Sequence, residues 1–364
     1  MDNKQLYDVA KAFLLKGKVA DIKPLGNGLI NDTFKITTTD AATPDYVLQR
    51  INNNIFTDVE LLQHNIEVVT THIRRKLEAE EVADIDRKVL TFIPTAEGKT
   101  YYQATDGTFW RISIFIPEAY TYEAVTPEYS YFAGKSFAQF ESMLTDVPET
   151  LGETIPDFHT MELRARQLSE AIAEDKVGRV AEVAPLLDEI DDYIERMCMA
   201  ERLYREGKLP KRICHCDSKV NNMLFDKGGQ VLCVIDLDTV MPSFIFSDYG
   251  DFLRTGANKV AEDSPELDQV EFDMNIFRAF TRGYLEGSKD FLTPVERDNL
   301  PFAAALFPFM QAVRFLTDYI NGDTYYKIQY AEHNLVRAKN QLYLFRDVLR
   351  KTGEMKDFIK KISR

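Results

Sequence analysis

The stretch from Ile213 to Ile235, with Asp236-Leu237-Asp238 directly after it, constrains this 364-residue chain more than any other. It is a short β-like region inside long runs of helical periodicity, where apolar segments bracket a polar loop and a Lys227-Gly228-Gly229 turn. The loop reads His215-Cys216-Asp217-Ser218-Lys219-Val220-Asn221-Asn222, and the last apolar segment ends in Val234-Ile235-Asp236-Leu237-Asp238. A carboxamide thus follows the first carboxylate by five positions, and a second carboxylate follows it by nineteen. Phosphoryl transfer asks for such a set: a base that aligns a hydroxyl and takes its proton late, and hard oxygen ligands for magnesium. Asp217 is the expected base, with Asn222 and Asp236 as a neutral and an anionic metal ligand. His215 is expected to hold the loop by hydrogen bonds. His-x-Asp followed by Asn is also the pattern of a polar Asx turn; the apolar strand running into Asp236 is what favours the catalytic reading.

The flanks of this segment differ. Before it, Phe34 to Thr39, Tyr46 to Ile51, Lys88 to Phe92 and Phe109 to Ile116 are rich in β-branched and aromatic residues and read as strands. Among them Val59, Leu62, Ile66, Val69 and Ile73 mark one amphipathic helix, with Thr57 and Glu60 as an expected capping box. Past Pro117 the periodicity is helical, through Leu187, Ile190, Ile194 and Met197 and again through Leu335, Ala338, Leu342, Phe345 and Leu349. The expectation is an α+β chain of two lobes, strand-rich over 1–116 and mainly helical over 117–364. Pro24 to Asn31 contains Gly26-Asn27-Gly28, which reads either as a hairpin turn or as a loop whose amides approach phosphate.

A net charge of −14 argues against nucleic acid or an anionic membrane as partner. The start of the chain lacks the pattern of a signal peptide, and the apolar run Phe302 to Met310 is too short to span a bilayer and reads as a buried helix. Cys214 and Cys216, expected on one face of a strand, read as buried small residues and not as zinc ligands. There is no Walker GxxxxGK[ST] motif.

Read together, HxDxxxxN, an apolar strand and IDxD resemble the aminoglycoside phosphotransferase and choline kinase superfamily. GNGLINDTF, YVLQRIN, WRISIFI, HCDSKVNNMLFD, VIDLDTVMP, RFLTDYINGD and EHNLVR resemble most closely the bacterial N-acetylhexosamine 1-kinases. The resemblance implies a protein-kinase-like two-lobed fold and ATP with Mg2+. It implies an adenine hinge at Phe115, Ile116 and Glu118, and transfer to the anomeric hydroxyl of N-acetylglucosamine or N-acetylgalactosamine. ATP use, with no export signal, implies a cytoplasmic location. The superfamily's basic residue on the strand Tyr46 to Arg50 is replaced by Gln49, which leaves Arg50 on the opposite face as a candidate partner of Glu60 or Glu67. Asp236-Leu237-Asp238 stands where protein kinases have DFG, and no APE segment follows, so a peptide substrate is disfavoured. Asp248 and Asp251 either brace the catalytic loop or cap a helix.

Asn31, Arg314, Asp318 and Tyr319 are candidate sugar contacts, although Arg314 and Asp318 also have the spacing of an intrahelical ion pair. Two alternatives stay open. One is a kinase of choline, homoserine or another small alcohol, with Tyr120, Tyr122, Tyr325 and Tyr326 as an aromatic cage. The other is a non-catalytic nucleotide-binding regulator.

Overall fold

The computed structural model describes residues 3–26, 31–122 and 125–363. The chain forms two compact units. The first comprises residues 1–120, 146–156 and 223–241; the second comprises 121–145, 157–222 and 242–364.

In the first unit, helix α1 (Asn3–Ala10) precedes strands β1 (Val19–Pro24), β2 (Asp32–Thr38) and β3 (Tyr46–Ile51). Helix α2 (Val59–Ala79) and strands β4 (Tyr102–Gln103) and β5 (Phe109–Ile114) follow. The strands make one antiparallel sheet in the order β1-β2-β3-β5-β4. Alternation sets its two faces. Tyr46, Leu48, Trp110 and Ile112 turn toward Leu6, Val9 and Phe13 in a dry cluster, whereas Gln49 and Arg111, directly paired across β3 and β5, occupy the other face. On α2 the periodic Leu62, Ile66, Val69 and Ile73 are all buried.

Two sequence expectations fail here for local reasons. Asp58, not Thr57, caps α2, its carboxylate accepting from the Leu61 amide. Lys88 to Phe92 is not a strand, because residues 85–87 wind into a 3-10 turn and Phe92 makes only an isolated bridge to Ser113. The later excursions are tied to α2 by Asn65, whose carboxamide nitrogen donates to the carbonyls of Gly152 and Val240 at 2.8 and 2.9 Å. A hairpin of Met223–Phe225 and Val231–Val234 turns at Asp226, whose carboxylate accepts from the Gly228 and Gln230 amides.

The second unit is helical: α3 (Pro127–Met143), α4 (Met161–Glu174), α5 (Ala184–Met197), α6 (Met199–Arg205), α7 (Phe246–Gly256), α8 (Met274–Gly287), α9 (Pro294–Asp298), α10 (Leu300–Ile320) and α11 (His333–Ile362). The apolar run noted at Phe302 belongs to the whole of α10, which is long and apolar enough to cross a membrane by composition but lies 78% buried inside the protein. It packs against α4, α7 and α11. A strand of Arg212–Cys214 leads into the polar loop. Cys216 is therefore off the strand, with its backbone left-handed at φ 62°, though both cysteines are buried.

Helices α3 and α8 approach so closely that only glycine fits at their contact. A methyl on Gly283 would lie 2.0 Å from the Tyr131 carbonyl oxygen, and one on Gly134 2.2 Å from that of Phe280. Backbone cannot yield as a side-chain tip can. Gly283→Ala is expected to cost about 3 kcal/mol, whereas Gly353→Ala, in open space on α11, should gain about 0.5–1 kcal/mol. Urea denaturation of the two variants checks both signs.

Candidate active site

The loop after Cys214 owes its shape to α7. Asp248, in the first turn of that helix, accepts the His215 amide on one carboxylate oxygen at 2.8 Å and the Cys216 amide on the other at 2.7 Å. Its backbone carbonyl accepts from the Ser218 hydroxyl. His215 is fully buried, edge-on to Phe137 and Phe140, and its Nδ1 lies 3.3 Å from the Asp217 amide that donates to it. Neither Asp248 nor Asp251 caps α7: the cap position is Ile245, without a side-chain bond. Asp248 is used on the loop instead, and Asp251 accepts from the Arg254 guanidinium at 3.0 Å.

Asp217 projects from this braced loop. One of its oxygens is 2.5 Å from the Lys219 ammonium and the other accepts from the Asn222 carboxamide at 3.0 Å. Burial pushes its pKa up, but the charge and hydrogen bond of Lys219 outweigh that and hold it below the ordinary carboxylate value. Lys219, conversely, is pushed down by burial and raised more by Asp217 and Asp251. The Asn222 nitrogen is spent on the side chain and carbonyl of Asp217, which leaves its oxygen, a hard neutral donor, for a cation. A carboxamide oxygen and carboxylates form the donor set that magnesium takes, so these residues fit the metal. Asp236, in the first unit, has a left-handed backbone (φ 61°, ψ 56°) at the end of the hairpin strand, a conformation costly for a non-glycine residue and common at functional sites.

Asp238, two residues on, is buried and 2.5 Å from Arg111. Its second oxygen accepts from Asn31 at 2.6 Å, and its carbonyl accepts from Thr154 at 2.9 Å. Arg111 also donates to Gln49 and Gln63 at 3.0 and 3.4 Å. This guanidinium is the feature that sequence reasoning missed. The cation absent from Gln49 is present on the neighbouring strand, at the residue paired with Gln49. The signal was an Arg inside the apolar run Trp110-Arg111-Ile112, where a charge must be buried and therefore paired. Arg50 lies at 3.4 Å from Asp32 on the exposed face, not with Glu60 or Glu67.

Of the remaining candidates, Gly26 has φ 70° with open space where a side chain would be, while Asn27 and Gly28 fall outside the described residues. The Phe115 ring lies under the Lys35 ammonium at 4.0 Å. Ile116 packs with Leu232 and Cys233, and Glu118 has φ 52° with its carbonyl accepting from Arg87. Tyr120 pairs its backbone with Phe225, and Tyr122 stacks on Tyr129.

On α10, Arg314 and Asp318 do not pair. Asp318 accepts the amides of Thr324, Tyr325 and Tyr326 and the Asn334 carboxamide, because a tight loop of unpaired amides directly after the helix binds a carboxylate more completely than one guanidinium would. Tyr319 donates to Glu182 and lies against Arg179. Arg314 alone of these three faces a different cluster, flanked by the rings of Phe158 and Tyr326 at 5.6 and 5.7 Å.

A family model described as "Phosphotransferase enzyme family" matches residues 21–287. The fold is shared with an aminoglycoside phosphotransferase from Alicyclobacillus acidocaldarius (TM-score 0.64, 12% identity, covering 98% of this chain and 96% of that one). It is shared also with an amicoumacin kinase in complex with AMP-PNP and Ca2+ (TM-score 0.58, 12% identity, 95% and 94%). A Plasmodium vivax ethanolamine kinase matches with TM-score 0.54 and 15% identity, over 90% and 84%.

Removing the buried cation from the Asp238 pair strands a carboxylate. Arg111→Met should cost about 3–5 kcal/mol in chemical denaturation, and the double variant Arg111→Met with Asp238→Asn, which keeps an acceptor for Asn31 but leaves no charge, should recover most of it.

Proposed function

The chain belongs to the phosphotransferase enzyme family, and from that premise we propose that it transfers the γ-phosphate of ATP to the anomeric hydroxyl of N-acetylglucosamine or N-acetylgalactosamine. Asp217 is the base. Its carboxylate, kept ionised by Lys219, aligns the sugar hydroxyl and accepts its proton as the bond to phosphorus forms. Asn222 and Asp236 are the magnesium ligands; the ion, when bound, would neutralise charge on the transferring phosphate. The segment Phe115 to Glu118 is assigned to the adenine, Gly26 to Gly28 to the phosphates, and the cytoplasm is the expected place of action.

The observation that carries the acceptor class is the positive charge gathered around His159 in the helical unit, to which Arg314, Arg164, Arg254 and Lys219 all contribute. Arg164 hydrogen-bonds Gln167 and the Phe158 carbonyl at 2.9 and 2.5 Å, and Arg314 hydrogen-bonds Gln311 at 3.1 Å. Neither makes an ion pair with a carboxylate among the described residues. His159 stacks on Phe158 and has a buried Nδ1 with no partner. Burial drives its pKa well down, and Arg314, Arg164, Arg254 and Lys219 all push it further. Burial and Arg314 likewise pull Arg164 down to about 10. Guanidinium groups only donate, so they bind hydroxyl and acetamide oxygens and repel an ammonium. The rings of Phe158 and Tyr326, which flank Arg314, are of the type that suits a sugar face. Choline and ethanolamine are disfavoured by the same charges, and Tyr326 packs on Tyr325 and on Arg314 instead of forming an open cage. A regulator without activity would have no use for an ionised Asp217 braced as this one is.

ADP release is to be measured from magnesium-ATP with N-acetylglucosamine, N-acetylgalactosamine, glucosamine, choline, ethanolamine and homoserine. The N-acetylated sugars should turn over, their 1-O-methyl glycosides should not, and cationic glucosamine should be poor. Asp217→Asn should lose at least about a hundredfold in kcat, and Arg164→Gln should narrow the preference for N-acetylglucosamine over glucosamine. Turnover confined to choline, ethanolamine or homoserine would overturn the acceptor while leaving the phosphotransferase chemistry.

A further inference from the structure

Behind the loop that carries Asp217 lies a second carboxyl that the chemistry above does not use. Glu141, on α3, is 2% exposed. One of its oxygens accepts from the Tyr284 hydroxyl of α8, a contact made available by the glycine-lined approach of the two helices. The other oxygen is buried with no donor among the described residues. What it meets is the carboxyl of Asp248, with Cys214 Sγ in the same cluster; their polar atoms lie within 4.8 Å of one another.

Two buried carboxylates side by side cannot both be ionised, so a proton lies between them. Asp248 already accepts one backbone amide on each oxygen, which stabilises its charge. Glu141 has no such donors beyond Tyr284 and is the one that keeps the proton. Burial raises both carboxyls: Glu141 goes well above its ordinary value, with the Asp248 charge as the next cause and the Glu296 charge adding to it, whereas at Asp248 the neighbouring His215 and the two amides oppose the rise. Burial also keeps the Cys214 thiol protonated. The cluster thus shares a proton.

We propose that Glu141 is a positioning residue for the reaction: a neutral carboxylic acid that, held by Tyr284, donates to Asp248 and fixes the carboxylate on which the His215 and Cys216 amides hang. The kinetic part of this rests on the reading of Asp217 as the base. The Cys216 backbone is left-handed, a strain that persists only where the surroundings over-determine it. Asp248 supplies that constraint, and Glu141 removes the remaining freedom of Asp248. Loss of the donor would let the carboxylate turn and the loop relax, displacing Asp217 without altering any group that touches the nucleotide.

Three variants of the full chain test this: Glu141→Gln, Glu141→Leu and Tyr284→Phe. Gln keeps a donor for Asp248 and an acceptor for Tyr284; Leu keeps only volume; Phe removes only the hydroxyl. Hydrogen exchange at the His215 and Cys216 amides should quicken in Leu and Phe but not in Gln. With N-acetylglucosamine, kcat should fall by about a hundredfold in Leu, as for a misplacement near 1 Å, and less in Phe, with KM for ATP unchanged; Gln should restore it. Because the folded pKa of Glu141 lies above its unfolded 4.5, its stabilisation is complete below that pH and is lost as pH rises toward the folded value. The melting temperature of the native protein should therefore decline over that window more steeply than that of Glu141→Gln. Native exchange rates at both amides in a folded Leu variant, or a Gln variant as impaired as Leu, would overturn the proposal. If the native protein phosphorylates no N-acetylhexosamine, the acceptor reading fails by itself, and the exchange measurement still decides the role of Glu141.

Discussion

The capture of two successive amides by the Asp248 carboxylate is the interaction on which the loop carrying Asp217 depends. Loops seldom hold a left-handed non-glycine residue unless something stronger opposes relaxation. Here a charged acceptor, buried at the start of α7, bonds the amides of His215 and Cys216 at lengths that leave little slack. His215 then passes the constraint on, its ring wedged against Phe137 and Phe140 and its Nδ1 taking the Asp217 amide. Asp217 is thus aimed through hydrogen bonds that begin on a rigid helix.

The first unit solves an analogous problem with opposite charges. Arg111 and Asp238 are both nearly inaccessible and neutralise each other, with Gln49 and Gln63 accepting from the guanidinium and Asn31 and Thr154 donating to the aspartate. Such a pair adds little net stability over apolar residues of the same shape, since desolvation of two ions offsets most of their attraction. What it supplies is register: β3, β5, α2 and the loop after Asp236 are joined by directional bonds that no shifted packing would satisfy.

Much of this was legible in the chain. The period of Val59, Leu62, Ile66, Val69 and Ile73 marked α2, the β-branched and aromatic run from Tyr46 marked β3, and the spacing of Asp217, Asn222 and Asp236 singled out the segments to inspect. What escaped was partner choice. Arg314 and Asp318 have ion-pair spacing on α10, yet the carboxylate goes to the loop amides of residues 324–326. Arg50 looked like the displaced cation because it adjoins Gln49 in sequence, whereas the paired residue across the sheet is Arg111. Thr57 and Asp58 are both good caps, and one residue of backbone geometry decides between them. Periodicity reports which face is buried; it does not report which of several polar groups wins a given donor.

The first unit is discontinuous, and that bears on how the chain is made. Residues 1–120 contain the whole five-stranded sheet, but Asp238, which neutralises Arg111, and Val240, which receives the Asn65 carboxamide, belong to a stretch synthesised much later. Until that stretch leaves the ribosome the nascent sheet holds a guanidinium without its counter-ion and an α2 face without its cover. Vectorial synthesis normally lets N-terminal structure settle first. Here the sheet waits for residues made after α6, so its final closure is a long-range event, slow by the entropy of the intervening chain.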